Sequence, residues 1–369
     1  MSLNSSLISP TSDAALERAL INKLKRRCDT AGSLGELEPV AVRLGLMQNT
    51  LKPKFHDPQL VLFAADHGLA VEGIRGPQHP RQTHEQVQQL LSGQLPMSVF
   101  ARLQGLELTV VDCGLAAATA PHERLMARKI AHGTRNARVG PAMALEQAHA
   151  AIRAGMEIGD ALPGNLLACA GLGVGSHEAA ALVISRLTES PLRDLVISDA
   201  HMDLDLLTRL MAILQATQTR HREVVDPIEV LAAFGGFETA LMVGVMLVAA
   251  SKRHLIMVDG IAACAALMIA SRISPTVTDY CVFCRSRSHR GLDRALGLFN
   301  ANALLELGMD SLDGTGACVS WPLVRCAAAL LSEVAEGEDP GPSRPAGILE
   351  ANEPFVRAAS DSRERRSVY

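Results

Sequence analysis

Short apolar runs that alternate with longer helical patterns limit the fold of this chain more than any other feature of its sequence. The runs are LVLFAAD, LELTVVDCG, GNLLACAGLG, HLIMVDG and DYCVFC, and a helix-like stretch follows each of them. Such alternation is typical of a parallel β-sheet with helices on its faces. We therefore predict an α/β fold in which these five segments are strands.

The carboxyl ends of the predicted strands are where we expect function. Four of the five runs end in Asp or Gly, as in Asp66-His67-Gly68 and Asp259-Gly260. In an open parallel sheet, ligands collect at the edge where the strands have their carboxyl ends. Each aspartate could instead cap the helix that follows it, but its place on this edge favours contact with a substrate.

The composition indicates a folded protein that handles small molecules. The 369 residues are 48% hydrophobic, which is enough for a large core, and the formal net charge is −4. A chain with this net charge lacks the broad positive surface potential that attracts nucleic acids or anionic membranes. We therefore expect no nucleic-acid partner and no membrane partner.

The compartment predicted from the sequence is the cytoplasm. No basic region leads into an apolar stretch at the start, so we expect no secretory signal. The longest apolar run, Ala240 to Ala250, is shorter than the roughly 18 residues of a membrane-spanning helix and predicts a buried helix. Most of the eight cysteines lie in apolar segments, which is typical of core thiols in a reducing compartment.

We expect no metal site and no cofactor. The pair Cys281 and Cys284 has the spacing of a metal or redox motif, but it lies on a predicted strand. Residues three apart on a strand face opposite sides of the sheet. A structural role for both thiols is therefore the favoured interpretation.

The chain divides into four predicted segments. Residues 1–55 are helical and form a small lobe, residues 56–320 form the α/β core, and residues 321–336 are a helix that returns to the small lobe. Residues 337–369 are rich in Pro, Gly and charge, and we expect a mostly mobile tail there.

A glycine-rich turn follows the third predicted strand and precedes a helix. It contains Gly171, Gly173, Gly175, Ser176 and His177. Backbone N–H groups in such a turn, with the helix N-terminus, can bind a phosphate. A tight structural turn is the alternative, and the residues alone do not choose between the two.

An acid stands before a second glycine-containing turn. Asp313 comes directly before Gly314-Thr315-Gly316 and an apolar helix, so its carboxylate would lie at the edge of another possible anion site. The alternative is an ordinary helix N-cap, which aspartate commonly provides.

Several segments, in order, resemble the nicotinate mononucleotide:dimethylbenzimidazole phosphoribosyltransferase family. LFAADHGLAVEGI is similar to the family's FAGDHGVAAEGV, and RKIAHGTRNARVGPAM to its RKVARGTANFAEGPAM. VDGIAACAALMIASRISP resembles VDGFISTAAALLAARLAP, and MDSLDGTGACVSWPL resembles LRLGEGTGAALALPL. The resemblance implies a doubly wound sheet with a smaller helical lobe from both termini. It also implies a homodimer that transfers ribose phosphate from nicotinate mononucleotide to an aromatic base for the lower ligand of cobalamin.

The resemblance also assigns site residues. The family's general base is a Glu, and the matching residue here is Asp313, one methylene shorter, so we expect slow transfer to dimethylbenzimidazole. It places the nucleotide phosphate at the turn from Gly171 to His177 and at the strand and helix ends that carry Asp259, Gly260, Gly314, Thr315 and Gly316. It places the incoming base near Asp66, His67, Arg75 and Glu85.

Two other functions compete with this prediction. A relative without catalytic activity could bind a nucleotide or base as a regulator or partner, because several site residues depart from the family pattern. A nicotinamide-dependent dehydrogenase is poorly supported, since no dinucleotide-binding glycine fingerprint follows the first predicted strand.

Overall fold

A computed structural model describes residues 8–27, 33–74, 82–196, 203–285 and 290–336. Its seven strands are β1 (Gln59–Ala65), β2 (Glu107–Gly114), β3 (Leu125–Ala127), β4 (Leu166–Leu172), β5 (Leu255–Val258), β6 (Cys281–Arg285) and β7 (Ala303–Leu305). They form one sheet in the order β3-β2-β1-β4-β5-β6-β7, and every neighbouring pair is parallel. The predicted α/β fold with a doubly wound parallel sheet is confirmed.

Helices precede, connect and flank the strands. They are α1 (Ala14–Lys25), α2 (Leu37–Gln48), α3 (Thr83–Leu91), α4 (Pro96–Gln104), α5 (Leu145–Ala161), α6 (Ser176–Thr188), α7 (Leu192–Leu195), α8 (Leu204–Arg220), α9 (Pro227–Phe234), α10 (Phe237–Ser251), α11 (Ile261–Ile273), α12 (Arg290–Leu298) and α13 (Thr315–Ser332). Two 3₁₀ helices span Gly68–Glu72 and Pro275–Tyr280.

All five strands predicted from apolar runs occur in the sheet. The prediction was wrong at Asp279 and Tyr280, which belong to the 3₁₀ helix that Pro275 begins and not to β6. Prediction also missed the two edge strands, β3 and β7, which are three residues long. An edge strand this short is only partly buried, so its sequence carries no apolar run to reveal it.

The order of the strands creates a crevice between β1 and β4. Chain order runs outward in one direction from β1 through β2 to β3, and in the other direction from β4 to β7. All residues of β1 and β4 are buried, which explains their continuous apolar sequences. A sheet of this kind binds ligands beyond the carboxyl ends of the strands where the order reverses.

The apolar run from Ala240 to Ala250 lies in α10, whose residues are mostly buried. α10 packs closely on α5, because a Cβ at Gly155 or Gly244 would come within 2.0 Å of a backbone oxygen of the other helix. The prediction of a buried helix is confirmed.

One helix in the described ranges, α13, has the length and apolar character needed to cross a membrane, and 56% of its 18-residue window is buried inside the protein.

The terminal segments meet around α13. α1 packs on α2, and both contact α13, which begins at Thr315 and continues through Pro322. Arg27 pairs with Glu336 in an isolated antiparallel bridge, so the segment after α1 lies beside the C-terminal end of the described chain. The predicted boundary at residue 321 therefore falls inside a continuous helix, and the division into a core and a small lobe stays a prediction. The predicted tail, residues 337–369, lies outside the described residues.

Candidate active site

The carboxyl ends of β1, β4, β5 and β6 bring four segments of the chain to one edge of the sheet. β1 leads into Asp66-His67, β4 into the glycine-rich turn, β5 into Asp259-Gly260, and β6 ends at Arg285. α6 and α11 begin directly after two of these strands, and α13 begins close by after Asp313-Gly314. Two clusters of buried polar side chains occupy this edge.

The glycine-rich turn is held by contacts within the protein. A Cβ at Gly173 would lie 2.1 Å from the backbone oxygen of Ala65, so the turn fits against β1 only with glycine there. Val174 donates its N–H to Thr83 Oγ1 (3.1 Å), and Ser176 donates its N–H to the Gly173 carbonyl (3.1 Å). These contacts support the alternative that the segment is a tight structural turn between strand and helix, and phosphate binding there stays a prediction.

The first polar cluster, the His67–Glu238 cluster, consists of His67, Ser176, Glu238 and Thr239. His67 Nε2 lies 3.0 Å from Glu238 Oε1, and the hydroxyls of Ser176 and Thr239 donate to the same oxygen at 2.9 and 3.3 Å. The side chains of His67 and Glu238 are 2% and 0% exposed. This cluster is sealed from solvent.

Burial and pairing act against each other on the two charged groups of this cluster. Burial by itself would raise the pKa of Glu238, but the charge and hydrogen bond of His67 hold that pKa below its usual value. Burial would lower the pKa of His67, and Glu238 outweighs it and raises that pKa. We conclude that the two side chains form a buried ion pair.

The second cluster, the Arg285–Asp313 cluster, consists of His177, Asp259, Arg285 and Asp313. Arg285 donates from Nε to Asp259 Oδ1 (2.8 Å) and from Nη2 to Asp313 Oδ1 (2.7 Å). His177 Nε2 lies 3.1 Å from the other oxygen of Asp313, Oδ2. One guanidinium thus joins two carboxylates, and an imidazole extends the network.

Asp259 fixes the turn before α13. Its Oδ2 accepts the N–H groups of Gly314 (2.6 Å) and Gly316 (2.9 Å), two of the three residues of this turn for which we predicted nucleotide contact. Burial raises the pKa of Asp259, although Arg285 opposes that rise. Arg285 and the two backbone N–H groups all donate to Asp259, which fits an ionised carboxylate.

Asp313 is packed tightly on the end of β5. A Cβ at Gly260 would lie 2.0 Å from Asp313 Cγ, and Gly260 has a φ of +92°. Glycine at this position therefore allows both the backbone turn and the close approach of the carboxylate. The alternative interpretation of Asp313 as a helix N-cap is wrong, because the N-cap of α13 is Gly314, with no side-chain cap hydrogen bond.

The residues predicted to bind the incoming base fall into three situations. Asp66 Oδ2 accepts the N–H of Ala116 (2.8 Å) and so holds the segment that follows β2. Glu85 accepts the N–H of Gln82 (3.3 Å) in a capping box at the start of α3. His67 belongs to the sealed cluster, and Arg75 lies outside the described residues.

Sequence reasoning did not single out two residues that organise this edge, Arg285 and Glu238. Arg285 is a charged residue at the end of the buried run CVFC, and Glu238 is a lone acid at the start of an apolar helix. A charge within an otherwise buried segment requires a partner, and that requirement is a signal that could have identified both.

No metal centre accompanies these clusters within the part of the chain that the structure describes, where no group of three or more His, Cys, Asp or Glu is placed to hold an ion. Cys281 and Cys284 are buried in β6, and burial raises the pKa of the Cys281 thiol to about 12. A thiol that resists ionisation is a poor metal ligand.

Comparisons with known proteins agree with the resemblance seen in the sequence. A family model described as "Phosphoribosyltransferase" matches residues 9–341. The nicotinate-nucleotide–dimethylbenzimidazole phosphoribosyltransferases of Cupriavidus taiwanensis and Cupriavidus necator are 39% and 40% identical to this chain. These alignments cover 88% and 89% of this chain and 95% of each relative.

Solved structures agree as well. A crystal structure of nicotinate-nucleotide–dimethylbenzimidazole phosphoribosyltransferase from Thermus thermophilus superposes with a TM-score of 0.82 at 28% identity. The superposition covers 90% of this chain and 100% of that one. The order of the matched sequence segments, the parallel sheet and the matches along most of its length show that this chain belongs to the nicotinate-nucleotide–dimethylbenzimidazole phosphoribosyltransferase family.

Proposed function

We propose that this protein transfers the ribose phosphate of nicotinate mononucleotide to dimethylbenzimidazole or a related aromatic base. The bond from ribose C1′ to the pyridinium nitrogen breaks, and its electron pair leaves with nicotinate. A nitrogen of the incoming base forms the new bond to C1′, and the base loses its N–H proton. The product is an α-riboside phosphate of the kind used for the lower ligand of cobalamin.

One observation carries this proposal beyond family membership. Asp313, which matches the family's catalytic Glu, lies on the carboxyl edge of the sheet and contacts His177 of the glycine-rich turn. An acid and a possible phosphate-binding turn therefore meet where a parallel sheet binds ligands. A nucleotide whose phosphate binds at the turn from Gly173 to His177 would present its ribose to this acid.

The chemistry requires little of the protein beyond orientation and one proton transfer. The pyridinium is already a good leaving group, so the main tasks are to align two rings and to accept the proton of the base. A carboxylate can balance the positive charge that develops on the incoming ring. Asp313 supplies that negative charge, and Asp66, Arg75 and Glu85 stay the residues that the family resemblance proposes for contact with the incoming base.

The test is incubation with nicotinate mononucleotide and a panel of benzimidazoles, purines and phenols, with products identified by mass. We expect release of nicotinate in equal amount to a new riboside phosphate. Asp313→Asn should lose about 10²-fold or more of this turnover by the usual contribution of acid–base groups. His149→Gln, on the exposed side of α5, is the matched control and should not change it. Binding of the nucleotide without nicotinate release with any acceptor would contradict the proposal and favour a binding role.

We also propose a homodimer in the cytoplasm, with no nucleic-acid or membrane partner. The family resemblance supports the dimer, and the net charge of −4 supports the absence of polyanionic partners. α10 cannot supply the dimer surface, because it is buried against α5 in the same chain. Light scattering at micromolar concentration should give twice the mass of the chain, and a monomer would contradict this proposal.

A further inference from the structure

We propose that His177 takes the proton from the incoming base and that Asp313 acts through His177 as a positioning residue. The inference deepens the proposed function and rests on it, since only base exchange supplies this proton. The family's phosphate turn, GEMGIGNTTAAA, resembles AGLGVGSHEAAA of this chain and has a threonine where this chain has His177, and the family has a glutamate where this chain has Asp313. Both changes therefore occur in the two residues that this structure brings into contact.

Exposure favours the imidazole as the group that meets the substrate. The side chain of Asp313 is 3% exposed, whereas that of His177 is 27% exposed. A proton acceptor must come within about 2.6–3.2 Å of the proton donor. Of the two side chains, His177 is the one that a ligand in the cleft can reach.

The contacts of Asp313 direct its charge toward His177. Its Oδ1 accepts from Arg285 Nη2 at 2.7 Å, and its Oδ2 faces His177 Nε2 at 3.1 Å. An ionised Asp313 accepts the Nε2–H of a neutral imidazole and thereby selects the tautomer whose lone pair is on Nδ1. A carboxylate that orients a histidine base in this way is a recurring arrangement for proton abstraction.

The carboxylate of Asp313 stabilises a protonated His177. Its Oδ2 lies 3.1 Å from Nε2 of the imidazole, and an opposite charge at this distance favours the charged form of the ring. An imidazolium formed during the reaction is therefore held by the same contact that orients the neutral ring.

Geometry also explains why a shorter acid is paired with a histidine. Asp313 packs against Gly260, where a Cβ would lie 2.0 Å from the Asp313 carboxyl carbon. Its side chain is one methylene shorter than that of a glutamate. The imidazole of His177, which contacts Asp313 and is the more exposed of the two, extends the network toward solvent.

As the ring nitrogen of the base bonds to C1′, the proton on its other nitrogen moves to Nδ1 of His177. The Nε2–H bond to Asp313 stays in place, and nicotinate leaves with the electron pair of the broken bond. The imidazolium later releases its proton to water.

The first test is His177→Gln, because a glutamine amide can keep the hydrogen bond to Asp313 but cannot accept a proton near neutral pH. We expect kcat to fall by about 10²-fold or more, while calorimetry still detects binding of nicotinate mononucleotide, because the turn would hold the phosphate through backbone N–H groups that the substitution keeps. His149→Gln is the control and should match wild type. Turnover by His177→Gln within threefold of wild type would overturn the inference and leave Asp313 as the base.

A second measurement separates a positioning role for Asp313 from a merely structural one. If Asp313 acts through His177, Asp313→Asn costs much less turnover in the His177→Gln background than in wild type. The fall of kcat/KM toward low pH in wild type should be lost or shifted in His177→Gln, because that substitution removes the group that must be unprotonated to accept the proton. Independent losses from the two substitutions, or an unchanged pH profile in His177→Gln, would contradict the inference.

The two proposals fail in different ways. If wild type releases no nicotinate with any acceptor, the proposed function fails and the inference is overturned with it. If wild type turns over and His177→Gln does so equally well, only the inference fails.

Discussion

The His67–Glu238 cluster and the Arg285–Asp313 cluster lie side by side on the same edge of the sheet but differ in access to solvent. Ser176 belongs to the first and His177 to the second, so two consecutive residues at the start of α6 enter different environments. In the first cluster the histidine is sealed, with 2% of its side chain exposed, and in the second 27% is exposed. Access to the cleft, more than the number of charges, therefore distinguishes a group suited to chemistry from one that supports the fold.

The source of positive charge explains the difference. In the sealed cluster, the imidazole of His67 is the cation that pairs with Glu238, so its positive charge is neutralised within that pair. In the open cluster, Arg285 pairs with both carboxylates, and His177 lies at the margin of the cluster. A guanidinium stays protonated at all ordinary pH values, so Arg285 keeps its positive charge when His177 gains or loses a proton.

The largest expected effect follows from removing the shared cation. Arg285→Met removes the cation that pairs with both Asp259 and Asp313, and breaking a buried ion pair in this way costs about 3–5 kcal/mol. The free energy of unfolding from urea titration measures this loss. Arg222→Met, in an exposed ion pair with Glu223, is the control and should change it by less than about 0.5 kcal/mol. A similar small change for Arg285→Met would show that the open cluster does not need its cation.

A smaller loss is expected from neutralising the sealed cluster. Glu238→Gln keeps an oxygen that can accept from Ser176 but removes the charge that pairs with His67. The loss of a charged hydrogen bond costs roughly 1.5–3 kcal/mol in the free energy of unfolding. Glu223→Gln is the matched exposed control. If Glu238→Gln unfolds at the same urea concentration as wild type, the His67–Glu238 ion pair does not stabilise the fold.

The ion pair of the sealed cluster also makes the difference in unfolding free energy between wild type and Glu238→Gln depend on pH. The raised pKa of His67 gives stability that is complete below its usual value of 6.5 and is lost as the pH rises through the folded value. The lowered pKa of Glu238 gives stability that is complete above its usual value of 4.5 and is lost as the pH falls through the folded value. The stability of wild type minus that of Glu238→Gln should therefore be largest between about pH 4.5 and 6.5. A difference that does not vary from pH 4 to 9 would mean that the two groups are not an ion pair.

The smallest effect is expected at the turn that joins the two clusters. Thr83→Val removes the hydroxyl that accepts the N–H of Val174, and the loss of one neutral hydrogen bond costs about 0.5–1.5 kcal/mol in the free energy of unfolding. A looser turn should also weaken binding of nicotinate mononucleotide severalfold in calorimetry. Thr208→Val, on the exposed face of α8, is the control. Unchanged affinity in Thr83→Val would indicate that the nucleotide binds away from this turn.

The central strands and the carboxyl edge could be predicted from the sequence because a strand that is buried on both faces consists of consecutive apolar residues. β1 and β4 are buried along their whole length, so each appears as an unbroken apolar run. The edge strands β3 and β7 have no such run and were missed. The position of Asp313 before a glycine-containing turn was likewise visible, because a turn and a helix start depend on neighbouring residues.

The sequence by itself determined the alternation of strands and helices, the family, and which segments end on the ligand edge. Only the tertiary structure decided the polar pairings there. His67 and Glu238 are 171 residues apart in the chain, and His177 and Asp313 are 136 apart. Local patterns record the period and burial of one segment, whereas such a pairing depends on how the sheet orders its strands. The roles of Arg285 and Glu238, and the contact that gives His177 its acid, therefore become visible only when the chain is folded.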